Sequence, residues 1–343
     1  MSLPTTSTVD TVDYRELVHS FRETQARIRE QVRRIIVGQD EVVDHLLITL
    51  LVGGHCLITG MPGTAKTLLV RTLATALGLT FKRIQFTPDL MPTDITGTDI
   101  IEEDVTTGRR KWTFVEGPIF TNVLLADEVN RTPPKTQAAL LEAMQEVSVT
   151  VRGHTYQLDP PFFVLATQNP IELEGTYTLP EAQLDRFLFK VILDYLDTKD
   201  EIEVVSRNTG DPLPEVEVCT NSEEILSYQR MVRQVPVSEN TAKYAVELVR
   251  ASRPKDPLAP DVVKKYVNYG CSVRATQFLV MAAKSRALME GRFHVTYGDI
   301  QALVLPVMRH RLLTNFHAES DGITTDEILK QLVGSRPAPN EQG

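Results

Sequence analysis

Apolar residues recur along this chain at three kinds of spacing, and each change of spacing marks a change of structure. From about Tyr14 to Arg34, Leu17, Val18, Phe21, Ile28 and Val32 fall at helical intervals among charged residues, and a second helix is expected through Leu51. Short apolar runs follow at residues 55–59, 122–126, 162–167 and 188–193, and these read as buried strands. Residues 81–86 alternate instead, as a strand with one exposed face does. Helices are expected between the strands, after residue 67 and over 136–146, where Leu140, Leu141 and Met144 share a face. Two regions read as inserted β-hairpins, 102–114 turning at Thr107-Gly108 and 147–158 turning at Arg152-Gly153-His154. Trp112, the single tryptophan, is expected to pack in the base of the first hairpin.

After Asp197 the apolar strands stop and helical periods take over. Helices are expected at 223–233, 239–252, 260–268, 273–291, 297–312 and 325–333. The run from Asn208 to Pro214, rich in Gly, Pro, Asn and Asp, marks a linker. The organisation expected is a disordered N-terminus at 1–12, an α/β core at 13–197, a linker at 198–221, an all-α domain at 222–334 and a disordered tail at 335–343.

The stretch Gly60, Met61, Pro62, Gly63, Thr64, Ala65, Lys66, Thr67 lies between the first apolar strand and a helix. Strand, glycine-bearing loop and helix opening on Lys-Thr form the phosphate-cradling arrangement. The backbone N–H groups and the helix N-terminus favour an anion there. Lys66 would reach the β- and γ-phosphates, and the Thr67 hydroxyl would ligate Mg²⁺. Ala65 stands where the common pattern has glycine and is small enough for helix entry. The bland alternative is a glycine-rich turn with a surface lysine.

Asp127 and Glu128 end the apolar run at 122–126, and the C-terminal edge of an open α/β sheet is where ligands bind. Asp127 would hold Mg²⁺ through water, and Glu128 would polarise an attacking water. Two acids capping a strand is the alternative. Asn169 follows the next apolar run and can orient a water without taking its proton. The cluster Ile35-Ile36-Val37-Gly38-Gln39 suits an adenine-contacting wall, and equally a buried turn between helices. Arg186 either faces outward or pairs with Asp185 as a surface cap. Arg274 falls in the first turn of a long helix, where acids are normally preferred. It serves an anionic ligand or is an ordinary surface arginine.

A net charge of −9 argues against a dedicated nucleic-acid binder. Three cysteines, Cys56, Cys219 and Cys271, lie far apart without metal-ligand spacing, which fits a reduced, cytoplasmic setting. Residues 1–13 are polar and carry no apolar signal-peptide core, and no apolar run reaches membrane-spanning length, so no membrane insertion is expected.

The ordered set of P-loop, Asp127-Glu128, Asn169, Arg186 and Arg274 resembles an AAA+ ATPase, and more closely the MoxR family. The likeness is carried by Gly53-Gly54-His55, the 60–67 loop, Gln85-Phe-Thr-Pro-Asp89, Asp94-Ile-Thr-Gly97 and Gly117-Pro-Ile-Phe120. It continues through 126–135, Ala166-Thr-Gln-Asn-Pro170, Glu174-Gly-Thr-Tyr177 and 179–187. The resemblance spans roughly residues 20–330 and is most specific in 54–190. It implies a three-layer αβα P-loop core with a parallel sheet and hairpin inserts, followed by an all-α lid. It implies ATP and Mg²⁺ as cofactors and a homo-oligomeric ring, usually a hexamer, whose ATP sites are shared between subunits. On this likeness Asn169 is sensor 1, Arg186 the arginine finger and Arg274 sensor 2. The family's Gly-Ala-Ser-Pro-Arg pattern appears here as Gly270-Cys-Ser-Val-Arg274, so Cys271 and Val273 are departures that alter packing. Family members are chaperone-like ATPases that mature protein complexes, often with partners bearing a von Willebrand factor A domain.

Three functions compete on these residues. The first is a protein-remodelling ring. The second is a nucleic-acid motor, for which Arg152 and His154 at a hairpin tip are the support and which the acidic balance disfavours. The third is a non-hydrolysing nucleotide switch, which has no need of Glu128.

Overall fold

A computed structural model describes residues 14–103, 110–170, 176–210 and 212–339. Its centre is a five-stranded parallel sheet formed by β1 (Cys56–Gly60), β2 (Phe81–Gln85), β5 (Val123–Asp127), β8 (Phe163–Gln168) and β9 (Phe189–Leu193). The order across the sheet is β2-β5-β8-β1-β9. The three inner strands β5, β8 and β1 are buried at nearly every position because both faces are covered, whereas the edge strand β2 exposes Lys82, Arg83 and Gln85. Cys56, Ile58, Val123, Leu125, Phe163 and Leu165 face one hydrophobic cluster, shared with the helices Asp40–Val52 and Lys66–Ala76 and with the helical half. Leu57, Leu124, Ala126, Val164 and Ala166 face the other, closed by the helix Pro134–Glu146. No helix among the described residues is long and apolar enough to cross a membrane.

Register aligns the strand ends that matter. Ile58 pairs with Thr167, Thr59 with Gln168, and Gln85 with Asp127. The loop after β1, the acids after β5 and the amide after β8 therefore meet at one edge. His55 ties the opposite ends together. Its Nδ1 accepts from the Val164 N–H at 3.1 Å and its Nε2 meets the Met144 carbonyl at 3.0 Å. Burial pushes this imidazole down to about 4, so it is a neutral structural histidine.

The hairpins differ in extent from expectation. The first pairs β3 (Gly97–Glu103) with β4 (Arg110–Glu116), beginning at Gly97 opposite Glu116, and its expected turn at Thr107-Gly108 lies outside the described residues. The second pairs β6 (Ser148–Val151) with β7 (His154–Gln157). Trp112 is not packed in a hairpin base: it is 54% exposed, and the Arg152 guanidinium lies over its ring, 4.3 Å from the centroid. Phe114 stacks on Tyr156 at 4.0 Å, so the two hairpins are zipped together. The helix Pro134–Glu146 packs beside β6, where Val149 is buried in the cluster that holds Leu140 and Met144, and the short helix Pro92–Thr96 lies beside β3.

Residues 198–221 are not an open linker. Thr198–Asn208 is a helix whose cap, Asp197, accepts from the Asp200 N–H at 2.8 Å, with Asp200 and Glu201 in its first turn. Residues 212–221 carry no regular element, yet Cys219 N–H donates to the Ala76 carbonyl at 2.8 Å. The helix expected at 260–268 stops at Tyr266 and gives way to β10 (Val267–Tyr269), paired with β11 (Leu313–Thr314). The helix expected at 297–312 breaks into Tyr297–Ala302 and Val304–Met308. Pro306 has no N–H for the Ala302 carbonyl, which accounts for the break. A short helix, Phe316–Ser320, was not anticipated. The tail is ordered through its first residues: Arg336 pairs with Glu247 at 3.3 Å and accepts from Tyr244 at its carbonyl. Residues 1–12 and 340–343 lie outside the described residues.

Candidate functional site

The helix Lys66–Ala76 begins without a side-chain cap and with no acid in its first turn. Both omissions run against the usual preference at a helix start and leave its amides for an external anion. Gly60 is required by close approach, since a Cβ there would meet the Leu193 carbonyl at 2.7 Å. Ala65 sits at φ +59, so its cost is conformational rather than a matter of size, about 1–2 kcal/mol that glycine would not incur. Lys66 Nζ donates to the carbonyls of Gly60 and Met61 at 2.8 Å each. Burial lowers its pKa, and Asp127 and Glu128 oppose that shift. The ammonium is thus folded onto its own loop, within reach of both acids' fields.

A cavity of about 510 Å³ opens against this loop, lined by residues 62–68 together with Asp127, Glu128, Thr167 and Asn169. Asp127 is held by Arg83, whose Nη2 lies 2.7 Å from Oδ2, and by Thr167 Oγ1 at 2.5 Å from Oδ1. Thr167 Oγ1 also accepts from the Glu128 N–H at 2.9 Å. One hydroxyl therefore fixes both acids. Glu128 has φ +56, a conformation costing about 1–2 kcal/mol that the packed strand end sustains. Gln85 Nε2 and Arg131 Nη1 both donate to its Oε2, at 2.8 and 3.0 Å.

A second cavity of about 330 Å³ shares residues 62–65 and Leu68 with the first. Its walls are Ile35, Ile36, Val37 and Gln39 on one side and Tyr195, Leu196, Val204 and Val205, with the acids Asp194 and Glu201, on the other. Gln39 Oε1 is buried with no hydrogen-bond partner among the described residues, an acceptor suited to an exocyclic amine of a base. Gly38 does not line the cavity; it turns the wall at φ +71, and a Cβ there would meet Asp200 Oδ2 at 2.0 Å. Gly60 and Met61 serve the site through their carbonyls and are not in its lining. The apolar half from 195 to 205 went unread in the sequence, where it was assigned to the last strand's exit and a linker. Its signal was the Asp197 cap, which announces a helix beside the P-loop.

Arg186 and Arg274 are not among the residues lining these two cavities. Arg186 Nη1 donates to the Leu141 carbonyl at 3.2 Å. Asp185 does not cap it, being held instead by Arg311 and Arg274. Cys271 is buried, with Sγ toward the Met308 carbonyl at 3.8 Å, while Val273 is exposed. Among the described residues no group of three His, Cys, Asp or Glu side chains could hold a metal alone. A cation at Thr67 and Asp127 would need oxygens from a bound ligand, as Mg²⁺ commonly does.

Comparison with known proteins matches residues 55–189 to the ATPase family associated with various cellular activities (AAA) and residues 260–332 to the AAA lid domain. The chain is 43% identical over 309 residues to Chaperone MoxR1 of Mycobacterium tuberculosis, covering 90% of this chain and 81% of that one. It is 32% identical over 340 residues to Protein MoxR of Methylorubrum extorquens, covering 94% and 97%. A crystal structure from Cytophaga hutchinsonii, described as a candidate ATPase, superposes with TM-score 0.88 at 40% identity over 95% of this chain and 98% of its own.

Proposed function

The chain belongs to the MoxR family of AAA+ ATPases, enzymes that hydrolyse ATP, and from that premise we propose that it binds ATP with Mg²⁺ across the two cavities and cleaves it at a site completed by a second copy of itself. The observation that carries this reading is the uncapped helix start at Lys66 facing Asp127, Glu128 and Asn169 across one cavity. Lys66 exchanges two neutral carbonyls for phosphate oxygens. Thr67 and Asp127 would hold Mg²⁺, which when bound would supply positive charge to the transferred phosphoryl group. Glu128 takes the proton of the attacking water, and Asn169 orients that water. Gln39 and the apolar walls receive the base.

Arg186 completes the site from a neighbouring subunit in a ring, by the family's pattern a hexamer. It belongs to no cavity of its own chain described above, and an arginine finger contributes about 10³–10⁵ in rate. The ring remodels protein complexes in the cytoplasm, in line with the chaperone name of the mycobacterial relative. Proteins with a von Willebrand factor A domain are its expected partners. A nucleic-acid motor is disfavoured because Arg152, one of the two basic residues at the hairpin tip, is engaged by Trp112 and by Asp99 at 3.8 Å.

Subunit mixing tests the shared site. Arg186→Ala chains keep a working P-loop and lack the finger, whereas Lys66→Ala chains keep the finger and lack the P-loop. Each is expected to be nearly inactive alone, and mixtures should recover part of the ATPase rate. No recovery at any ratio, with mixed assembly confirmed by mass photometry, would remove Arg186 from the neighbour's site.

A further inference from the structure

Asp185 stands between two arginines of the helical half that it holds on very different terms. Arg311 Nε donates to Oδ1 at 2.8 Å, and the Arg311 side chain is 1% exposed. The same guanidinium donates to the carbonyls of Asp185 and Leu188 at 2.9 and 3.3 Å and lies 4.9 Å from the centre of the Phe278 ring. Breaking that arm would strand a buried charge. Arg274 Nη1 reaches Oδ2 at 3.3 Å, and its side chain is 44% exposed. Ser272, the cap of the helix Val273–Met289, shares its hydroxyl proton between the two carboxylate oxygens at 3.2 and 3.3 Å and accepts from the Arg274 N–H. The Arg274 arm is a single, long, solvent-facing contact, which makes it the exchangeable one.

We propose that Asp185 is a positioning residue that latches Arg274 away from the nucleotide, and that a bound triphosphate draws Arg274 off it while Arg311 stays paired. This rests on the reading of Arg274 as the arginine that senses the phosphates. A guanidinium meets a phosphate through two parallel, charge-assisted hydrogen bonds and faces more negative charge there than on one carboxylate. The exchange is therefore downhill once ATP is present. Before that, the latch removes a fraction of chains from the binding-competent state and weakens apparent affinity by that fraction. An exposed ion pair shifts such an equilibrium by up to about fivefold.

The test is a double-mutant cycle on the full chain, read as affinity for the non-hydrolysable analogue AMP-PNP with Mg²⁺. Asp185→Asn retains an acceptor for Arg311 and removes the charge that holds Arg274. It is expected to tighten AMP-PNP binding by about two- to fivefold. Arg274→Ala should weaken binding, and Asp185→Asn placed on top of it should change nothing. Unchanged or weaker binding in Asp185→Asn, or tightening that persists without Arg274, overturns the latch. A merely structural Asp185 lowers the melting temperature and tightens nothing. Should Arg274→Ala bind and hydrolyse ATP like the wild type, the sensing role fails and the latch falls with it, a result distinct from failure of the cycle. If Asp185→Asn does not fold, a structure of the wild-type chain with AMP-PNP decides. Arg274 should stand beyond about 4 Å from Asp185 with the Arg311 pair kept; Arg274 still on Asp185 refutes the proposal.

Discussion

Lys66, Asp127, Glu128 and Asn169 crowd one end of the cleft, whereas Ile35, Val37, Leu196 and Val205 line the other. The first end works through a few atoms of fixed kind: one ammonium, two carboxylates, one amide and a set of backbone N–H groups. The second works through apolar area, which many side chains can supply. Chemistry at the first end cannot be repaired by a neighbouring residue, and contact at the second largely can. The consequence is a difference in what each end controls. Under the proposed function, the first end carries out the phosphoryl transfer and the second holds the base.

The contrast breaks most severely at Glu128. Glu128→Gln keeps the shape of the acid and loses the base, so turnover should fall about 10²–10⁴-fold while ATP still binds. Wild-type turnover in that variant, measured by phosphate release, would move the catalytic role to another acid. Lys66→Ala comes next. Losing a charge-assisted contact to the phosphates should cost roughly 10- to 100-fold in affinity. The loss should be equal for ATP, GTP and inorganic tripolyphosphate, because nothing at that end touches the base. Unequal losses in a competition assay would dissolve the division between the ends. Leu196→Ala probes the opposite end. Truncating one wall residue removes apolar area worth about 1 kcal/mol, a weakening of roughly fivefold for ATP. Tripolyphosphate should compete as it does with the wild type; if it also weakens, the wall supports the P-loop rather than the base.

The same contrast governs what could be read from the chain. The P-loop, the acids and Asn169 were legible because rare residue types sit directly after apolar strands, and parallel strands in register bring their C-terminal ends to one edge. The wall at 35–39 was readable only as one of two alternatives, since Ile and Val beside a turn serve a core as well as a base. The facing wall at 195–205 was missed. Its continuation from residue 208 is Gly- and Pro-rich and reads as a linker, while the Asp197 cap is a single residue. Trp112 was misplaced for a related reason. Size and apolarity suggested burial, but no element covers the hairpin there, and the partner proved to be a guanidinium from the other hairpin. The Asp185–Arg311 pair had no local signature, because its members lie 126 residues apart and meet only when the helical half docks on the core.

The smallest effect is expected at Gln85, and it is the most informative about how the catalytic end is held. Gln85 bridges its two acids. Its Oε1 accepts from Arg83 Nη2 at 2.6 Å, Arg83 holds Asp127, and its Nε2 donates to Glu128 Oε2 at 2.8 Å. Gln85→Ala cuts that bridge and leaves Arg131 on the same oxygen of Glu128 at 3.0 Å. The bond is exposed and neutral on the donor side, so its loss should be worth under about 1 kcal/mol. Turnover is expected to fall about two- to threefold with ATP affinity unchanged, because Glu128 still carries its charge but is aimed by one donor instead of two. A rise in turnover would show that Gln85 restrains Glu128 instead of aiming it. A change in affinity with turnover intact would place the bridge's effect on Asp127 and the metal. Pairing Gln85→Ala with Arg131→Ala separates these cases. If the two donors share one task, the second removal should cost more than the first, and the excess over additivity measures how far each covers for the other.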